Sequence, residues 1–513
     1  MMSKLKRHFI PVAFLLTVTC AFSLSLWFCP YSRETFGHDA GIFAYIGYAV
    51  TQGVPLYTGA WDNKGPLLYI INALGIVINY RYGIFLLEFA ALFIALLFMY
   101  KTALFFVPRY IAAISAVLSA MPLSVTLSGG NLSDEWALPF TVVAFYFIAK
   151  FFCNSYRLRK IEMMAVGACI AAIVLLKLNI IMFIAVAVLG VIIVLIKEKQ
   201  IKTLIIVTLF SLIGFFAFTA PFAIYLVLTD SLSACLEAAY FGAVGAFSKI
   251  PKMMRIINVS EMVFAFMQSG GFFIILLFVA IFPFYLHKTK GNGDPFKTLL
   301  SICFFGLFAT LAGNSVSGAA YNHYFMSFIP VMLLPTVWFS RAVYSFLCTN
   351  NIKSFAANAV VLAFAFLISM DSIDVLRNNI ISNLRDGTDS YLYDQGMMIS
   401  DYVKANSTPD DTVQLMGGSE IVTSYYRAKR IAASNYFYYA NGRFADDIKT
   451  EFANEILKDM KEARPKIILF TDEKFWDFTQ HLDDPEDFES FLEENYTIDE
   501  NNFSCITYLR AGG

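Results

Sequence analysis

Asp39, Lys64, the Asp134–Glu135 pair, Lys177 and His323 are the residues on which chemistry can turn, because each lies in or beside a long apolar run. A charge in or beside a low-dielectric phase is costly, so each such group is a functional candidate by default. A carboxylate there is suited to take a proton from a hydroxyl. A lysine or histidine is suited to meet a phosphate or an oxygen that gains negative charge. Each group also has a plainer reading. Asp39 stands where a helical pattern begins and can cap it, a contribution of roughly 1 kcal/mol. Lys64 can lay its stem along lipid with its ammonium in water. Asp134 and Glu135 start an apolar helix, where the helix dipole favours negative charge. Adjacent residues on one helix face different ways, so at most one of the two enters a shared site. Lys177, beside Asn179, reads equally as exposed charge, and His323 as a structural residue at a helix start.

The elements that must position these residues are mostly membrane helices. Of 513 residues, 58% are hydrophobic and only 15% charged, with 52 Phe and 27 Tyr. That excludes a disordered chain and an ordinary soluble core. A net charge of −1 gives no basis for binding nucleic acid. Eleven stretches are apolar enough to be spans, near 9–28, 82–106, 110–127, 136–153, 162–176, 179–196, 203–228, 262–286, 298–313, 323–345 and 354–371. The turn at Lys177-Leu178 is the least certain of the breaks between them. Every second loop is basic, starting from Lys4, Lys6 and Arg7, so 17 Lys/Arg face the cytoplasm and 7 face outward before the tail. An odd number of crossings puts the tail outside. The first span reads as an anchor rather than a cleaved signal peptide, since no small-residue cleavage site follows it. The cysteines read as small buried hydrophobes, not a disulfide framework.

Nearly all the candidate residues fall on the outer face. The stretch 29–81 carries apolar residues at 42, 43, 46, 49 and 50, which predicts a helix lying in the membrane interface, ended by Gly53 and Pro55. Lys249, Lys252 and Arg255 occupy the outer loop 229–261 against the positive-inside trend, and ordinary exposed charge accounts for them. Residues 372–513 hold 14 of the 38 Lys/Arg and 26 of the 39 Asp/Glu, an acidic tail. Strand-like Thr412–Met416, 465–470 and 504–509 alternate with helical 419–427, 444–463 and 485–495, which predicts a small α/β domain. Gly417-Gly418 after the first strand lacks the rest of a phosphate-loop signature.

Together these residues resemble the GT-C glycosyltransferases that use polyprenyl-phosphate sugars, in the bacterial protein O-mannosyltransferase-like and aminoarabinose-transferase-like branch. The resemblance rests on His38-Asp39-Ala-Gly41-Ile-Phe-Ala-Tyr45, Gly53-Val-Pro-Leu-Tyr57 and Trp61-Asp62-Asn63-Lys64-Gly65-Pro66-Leu67-Leu68-Tyr69 in the first outer loop. Ser133-Asp134-Glu135-Trp136-Ala-Leu-Pro139 and His323-Tyr324 with Pro330 extend it. Ala40, Gly65 and His323 depart from the branch's usual Glu, Pro and Arg, which blurs the acceptor class.

The resemblance implies a GT-C membrane domain over 1–371, with the loop 29–81 carrying the catalytic motif, and an extracytoplasmic α/β domain over 372–513. It implies a multi-pass enzyme of the bacterial cytoplasmic membrane, surrounded by membrane lipids, with its active site outside. Transfer would run, with inversion, from a polyprenyl-phosphate sugar to a hydroxyl of an envelope lipid, glycan or protein. Asp39 with Glu135 would be catalytic. Lys64, Asp134, Tyr57, Trp61, Lys177, His323 and Tyr324 would bind substrate, with Lys64 first for the donor phosphate. No nucleotide or metal cofactor is required, although a divalent cation bridging an acid and the phosphate stays open. The rival readings are a transporter or flippase of a lipid-linked precursor, and a polysaccharide polymerase or ligase. A transporter needs ionisable residues across the bilayer midplane, and the spans are nearly free of charge, with Glu88 the main exception.

Overall fold

Inside a bilayer each backbone amide must be satisfied within its own segment, so long apolar runs become helices. The computed structural model describes residues 2–31, 36, 38–241, 253, 257, 271–288, 294–316, 321–350, 352–384, 391–438, 446–499 and 505–511. Each of the eleven expected segments carries a helix. Among the described residues seven are long and apolar enough to cross a membrane alone: Gly83–Ala103, Arg109–Thr126, Ser133–Cys153, Leu178–Lys197, Ile201–Leu228, Pro295–Ser315 and Asn322–Thr349. Ser354–Ile368 and Met370–Leu384 join them as a pair bent by 67°. The helix Ile201–Leu228 has a mean hydropathy of 2.3, yet only 6% of it is buried. A helix so apolar and so uncovered is matched by lipid, not water. The turn at Lys177 is a true break, since Lys160–Leu176 ends there and Lys177 itself is extended before Leu178 resumes as a 3-10 turn. Lys249, Lys252 and Arg255, and residues 262–270 of the eighth expected segment, lie outside the described residues.

Two helices precede the first long span besides α1 (Met2–Leu24). These are α2 (His38–Thr51) and α3 (Pro66–Ile78). The sequence predicted α2 as an interfacial helix with one covered face. Instead every residue from Ala40 to Ala49 is buried. The reason is a second partner: α3 packs on one side, and the helix Ser419–Ala428 of the C-terminal part packs on the other. Tyr45, off the apolar stripe, lies against the Tyr425 and Phe437 rings at 4.8 and 4.4 Å, and its hydroxyl accepts the Ala432 amide at 2.9 Å.

The C-terminal part holds a five-stranded sheet in the order β2-β1-β3-β5-β4, from Thr412–Met416 (β1), Ile431–Ala432 (β2), Ile467–Thr471 (β3), Tyr496–Asp499 (β4) and Cys505–Arg510 (β5). β1 runs parallel to β2 and β3, while β5 is antiparallel to β3 and β4. β1 and β3 form the buried centre, with Leu415 opposite Leu469 and Met416 opposite Phe470. The expected strands and helices are all present, and short β2 and β4 add to them.

Candidate functional site

The first-loop segment 57–66 is gripped through its backbone. Tyr57 has a left-handed backbone (φ 66°), and its buried hydroxyl donates to the Lys64 carbonyl at 2.8 Å. The Lys64 amide donates to the Tyr69 hydroxyl at 3.1 Å, which in turn donates to Asp62 at 2.8 Å. The other Asp62 oxygen accepts the hydroxyl of Tyr438, from the C-terminal part, at 3.1 Å. Burial, then the Asp62 charge, pushes the Tyr438 hydroxyl well above its usual range, so it stays a donor. Gly65 seals the loop: its amide donates to the Leu176 carbonyl at 3.0 Å, and a Cβ there would lie 2.1 Å from the Leu175 carbonyl oxygen. Lys64 itself bonds Asn63 and sits 6.0 Å from the Phe43 ring centre, one turn of α2 from Asp39.

A second group meets this loop from three other elements. Asp134 is buried and accepts from Lys177 at 2.9 Å. His323 Nε2 lies 4.0 Å from the same Asp134 oxygen, and its ring stacks on Tyr321. The Lys177 ammonium sits 4.0 Å from the Tyr324 ring centre, a cation–π contact. His323 feels the charges of Asp134, Lys177, Asp39 and Lys64, so the acid of α2, the loop lysine and this cluster share one field. Asn314 fixes the turn that presents His323, donating to the Tyr324 carbonyl at 2.9 Å and the Ser327 hydroxyl at 3.0 Å.

Beneath them lies a buried scaffold built by Asn131. Ser128, Gly129, Gly130 and Asn131 all have positive φ. At Gly130 (φ 95°) a Cβ would come within 2.9 Å of a Glu88 oxygen, so only glycine suits this position. The Asn131 amide donates to Glu88 at 2.5 Å, while its side chain donates to the Ala40 carbonyl at 3.2 Å and to Asn72 at 2.8 Å. Trp136 Nε1 donates back to Asn131 at 2.9 Å. Asn131 therefore anchors the residue next to Asp39.

The expected site residues fall in different surroundings. Glu135, expected beside Asp39, is fully buried and faces Glu88 and the Asn131 loop. Its neighbour Asp134 turns to Lys177 and His323, because consecutive helical residues point about 100° apart. Tyr57, expected on substrate, has its hydroxyl on the Lys64 carbonyl and positions that residue. Trp61, expected on substrate, packs on Tyr436 and Phe452 at 5.6 and 5.1 Å, and its amide donates to Asn435. Tyr324 is buried beneath Lys177. Asp134, Lys177 and His323 come together as one polar cluster, with Asp39 and Lys64 near enough for their charges to act on His323. Asp62, Asn131, Asn314 and Tyr438 complete it and were not singled out from sequence. Asp62 lies within the first-loop motif, two residues before Lys64. Among the described residues no group of three or more His, Cys, Asp or Glu side chains is placed to hold a metal ion.

Residues 9–372 match the family described as "Putative competence-induced protein Ccs4 N-terminal domain". The chain belongs to this family. No curated protein matches the sequence. Among solved structures it is similar to ArnT from Cupriavidus metallidurans in the apo state, at 12% identity and a TM-score of 0.61 over 97% of both chains. ArnT bound to undecaprenyl phosphate gives 0.58, at the same identity and coverage. The apo oligosaccharyltransferase of Archaeoglobus fulgidus gives 0.55 at 15% identity, over 98% of this chain and 74% of that one. This Ccs4 family member thus has the GT-C architecture that the first-loop motif predicted, a multi-pass membrane fold with a small C-terminal sheet.

Proposed function

We propose that the chain is a membrane glycosyltransferase that moves a hexosyl or pentosyl group from a polyprenyl-phosphate donor to an acceptor hydroxyl. The acceptor is an envelope lipid, glycan or protein, on the extracytoplasmic side of the bacterial cytoplasmic membrane. The observation that carries this reading is the buried Asp134 that pairs with Lys177 and lies beside His323, next to the loop that carries Lys64 and is sealed by Gly65 on the Leu176 carbonyl. The fold shared with ArnT, one structure of which is bound to undecaprenyl phosphate, supports the donor class. On this reading residues 1–371 form the membrane domain and 372–513 the domain that covers it.

The acceptor oxygen loses its proton to Asp39 and attacks the anomeric carbon from the face opposite the phosphate. The bond from that carbon to the phosphate oxygen breaks, its electron pair leaves with the phosphate, and configuration inverts. Asp39 as general base contributes roughly 10²–10⁴-fold. Lys64 is the principal cation for the leaving phosphate. Lys177 is already paired with Asp134, so its charge is largely compensated. Asp134 then serves to hold Lys177 and His323 in place. Fixed cations of this kind stabilise charge as it builds on the departing oxygen. Transfer measured with and without EDTA tests whether a divalent cation bridges an acid and the phosphate.

Purified chain given a labelled polyprenyl-phosphate sugar tests this. Release of polyprenyl phosphate is expected, at least 10²-fold slower in Asp39→Asn, since Asn keeps the shape and most of the helix-start function. A wild-type rate in Asp39→Asn would refute the base assignment. Passage of the intact donor lipid across a vesicle wall with no bond broken would favour a transporter.

A further inference from the structure

Glu88 lies inside the apolar helix Gly83–Ala103, 0% exposed, and the reaction proposed above leaves it unused. Glu135, near the start of Ser133–Cys153, is also 0% exposed, and the two carboxyls meet within hydrogen-bond reach. Among the described residues neither forms an ion pair, and no Lys, Arg, His, Cys or Tyr from the helices packed on Gly83–Ala103 acts on either. The cation Lys177 is taken by Asp134, the other acid of this helix start. Of the four oxygens, Glu88 Oε1 accepts the Asn131 amide at 2.5 Å. Glu88 Oε2 and both oxygens of Glu135 accept from no N–H or O–H group. The amides of Leu132 and Asn131 lie near Glu135 but do not bond it. Two carboxylates that face each other in an apolar interior cannot both stay ionised. A proton held between them turns that conflict into a charge-assisted hydrogen bond, and gives a partner to two of the three oxygens that lack one.

Asn131 shows what the pair is for. Its amide ends on Glu88, and its side chain ends on the Ala40 carbonyl, next to Asp39. The same side chain bonds Asn72 of α3 and Trp136 of the helix that carries Glu135, so the loop touches every element concerned. We propose that Glu88 and Glu135 share one proton, and that the pair clamps the Asn131 loop, which in turn holds Ala40 and Asp39 in place. Both are positioning residues, acting on Asp39 through Asn131. The clamp stands on the geometry of the pair, while its effect on sugar transfer rests on the function proposed above.

The full chain in nanodiscs provides the test. Infrared difference spectra at neutral pH are expected to show the C=O stretch of a protonated carboxyl. The band should shift in Glu88→Gln and in Glu135→Gln, and be absent from the double variant. Glutamine keeps the shape and brings an N–H in place of the shared proton, so these variants fold as wild type does, and an unchanged unfolding transition verifies this. No such band in the wild type, a band unmoved by either single change, or one that survives unmoved in the double variant overturns the shared proton. Hydrogen exchange reads the clamp. Glu88→Ala leaves the Asn131 amide without its acceptor and is expected to speed exchange across 129–132 at least about tenfold, with Glu88→Gln restoring protection. Sugar transfer is expected to follow, about 10²-fold slower in Glu88→Ala and near the wild-type rate in Glu88→Gln. Unaltered exchange in Glu88→Ala overturns the clamp, and faster exchange with unaltered transfer overturns its link to Asp39. A wild-type chain that transfers no sugar refutes the proposed function instead, while the band and the exchange still decide the pair.

Discussion

Replacing Asp134 with alanine removes a fully buried carboxylate from beside a lysine whose side chain is only 13% exposed. Two unit charges 2.9 Å apart attract by about 6 kcal/mol at an effective dielectric near 20, before the desolvation of both is subtracted. Removing one partner of such a pair strands the other, a loss of about 3–5 kcal/mol. Asp134→Asn keeps an oxygen for the Lys177 ammonium and is expected to lose about 2–3 kcal/mol. Lys177→Met strands the carboxylate and is expected to lose 3–5 kcal/mol. The double variant Asp134→Asn/Lys177→Met removes both charges. It is expected to recover about 3 kcal/mol of the summed loss, because replacing both members of a buried pair costs far less than stranding one.

Equilibrium unfolding of the solubilised chain in mixed micelles measures all three variants. Strict additivity of the two single changes, within about 0.5 kcal/mol, would refute the pairing argument. Sugar transfer supplies the second readout. If the pair only stabilised the fold, the double variant would regain transfer along with stability. If the pair serves the site, the double variant regains stability without transfer, since the cation beside Tyr324 and His323 is gone.

Gly65→Ala places a methyl 2.1 Å from the Leu175 carbonyl oxygen, so the loop must shift by about 1 Å. A misplacement of that size is expected to slow transfer about 10²-fold although Lys64 remains, with a stability loss of about 1–3 kcal/mol measured by unfolding. Tyr438→Phe removes the hydroxyl that Asp62 accepts at 3.1 Å, a bond to a charged group worth about 1.5–3 kcal/mol. The C-terminal part is then expected to be cleaved faster in limited proteolysis. Asp411 accepts the Thr408 amide and hydroxyl, both at 2.8 Å, and lies near Arg510. These partners, the Thr408 amide first, hold its carboxyl below the ordinary 3.8. Its contribution is therefore present above pH 3.8 and lost as pH falls through the lower folded value. The C-terminal part should lose stability in that acid range by circular dichroism, and Asp411→Asn should remove the dependence.

What was legible in the sequence follows from the range over which each signal acts. The apolar segments are local facts of hydropathy, and among the described residues each of them carries a helix. The motif around Asp39 and Lys64 was legible because its chemistry and spacing lie within one loop. The choice between Asp134 and Glu135 was not, since it depends on the rotation of one helix against its neighbours. Asp62 with Tyr438 was not either, because the two residues are 376 positions apart and neither stands out in its own window. Trp61 and Tyr57 have types that suit sugar binding, but type says nothing of what occupies their rings and hydroxyls. The covered outer face of α2 was hidden for the same reason: its apolar stripe reports one partner, while Tyr45 and Tyr48 report the second only once the C-terminal part is in place.

The C-terminal part is therefore more than a cover. Asn131, from the membrane helices, holds the carbonyl next to Asp39, while Tyr45 pins the middle of the same helix to the amide of Ala432. Asp62 takes one hydroxyl from Tyr69 and one from Tyr438, so the loop that carries Lys64 is set from both sides as well. The helix that carries Asp39 and the loop that carries Lys64 thus each have two supports, one from the membrane helices and one from the C-terminal part. Rigidity of this kind matters because a general base and a leaving-group cation work only at fixed separation from the reacting atoms. On the proposed function, loosening the C-terminal part would accordingly move Asp39 and Lys64 together and slow the chemical step.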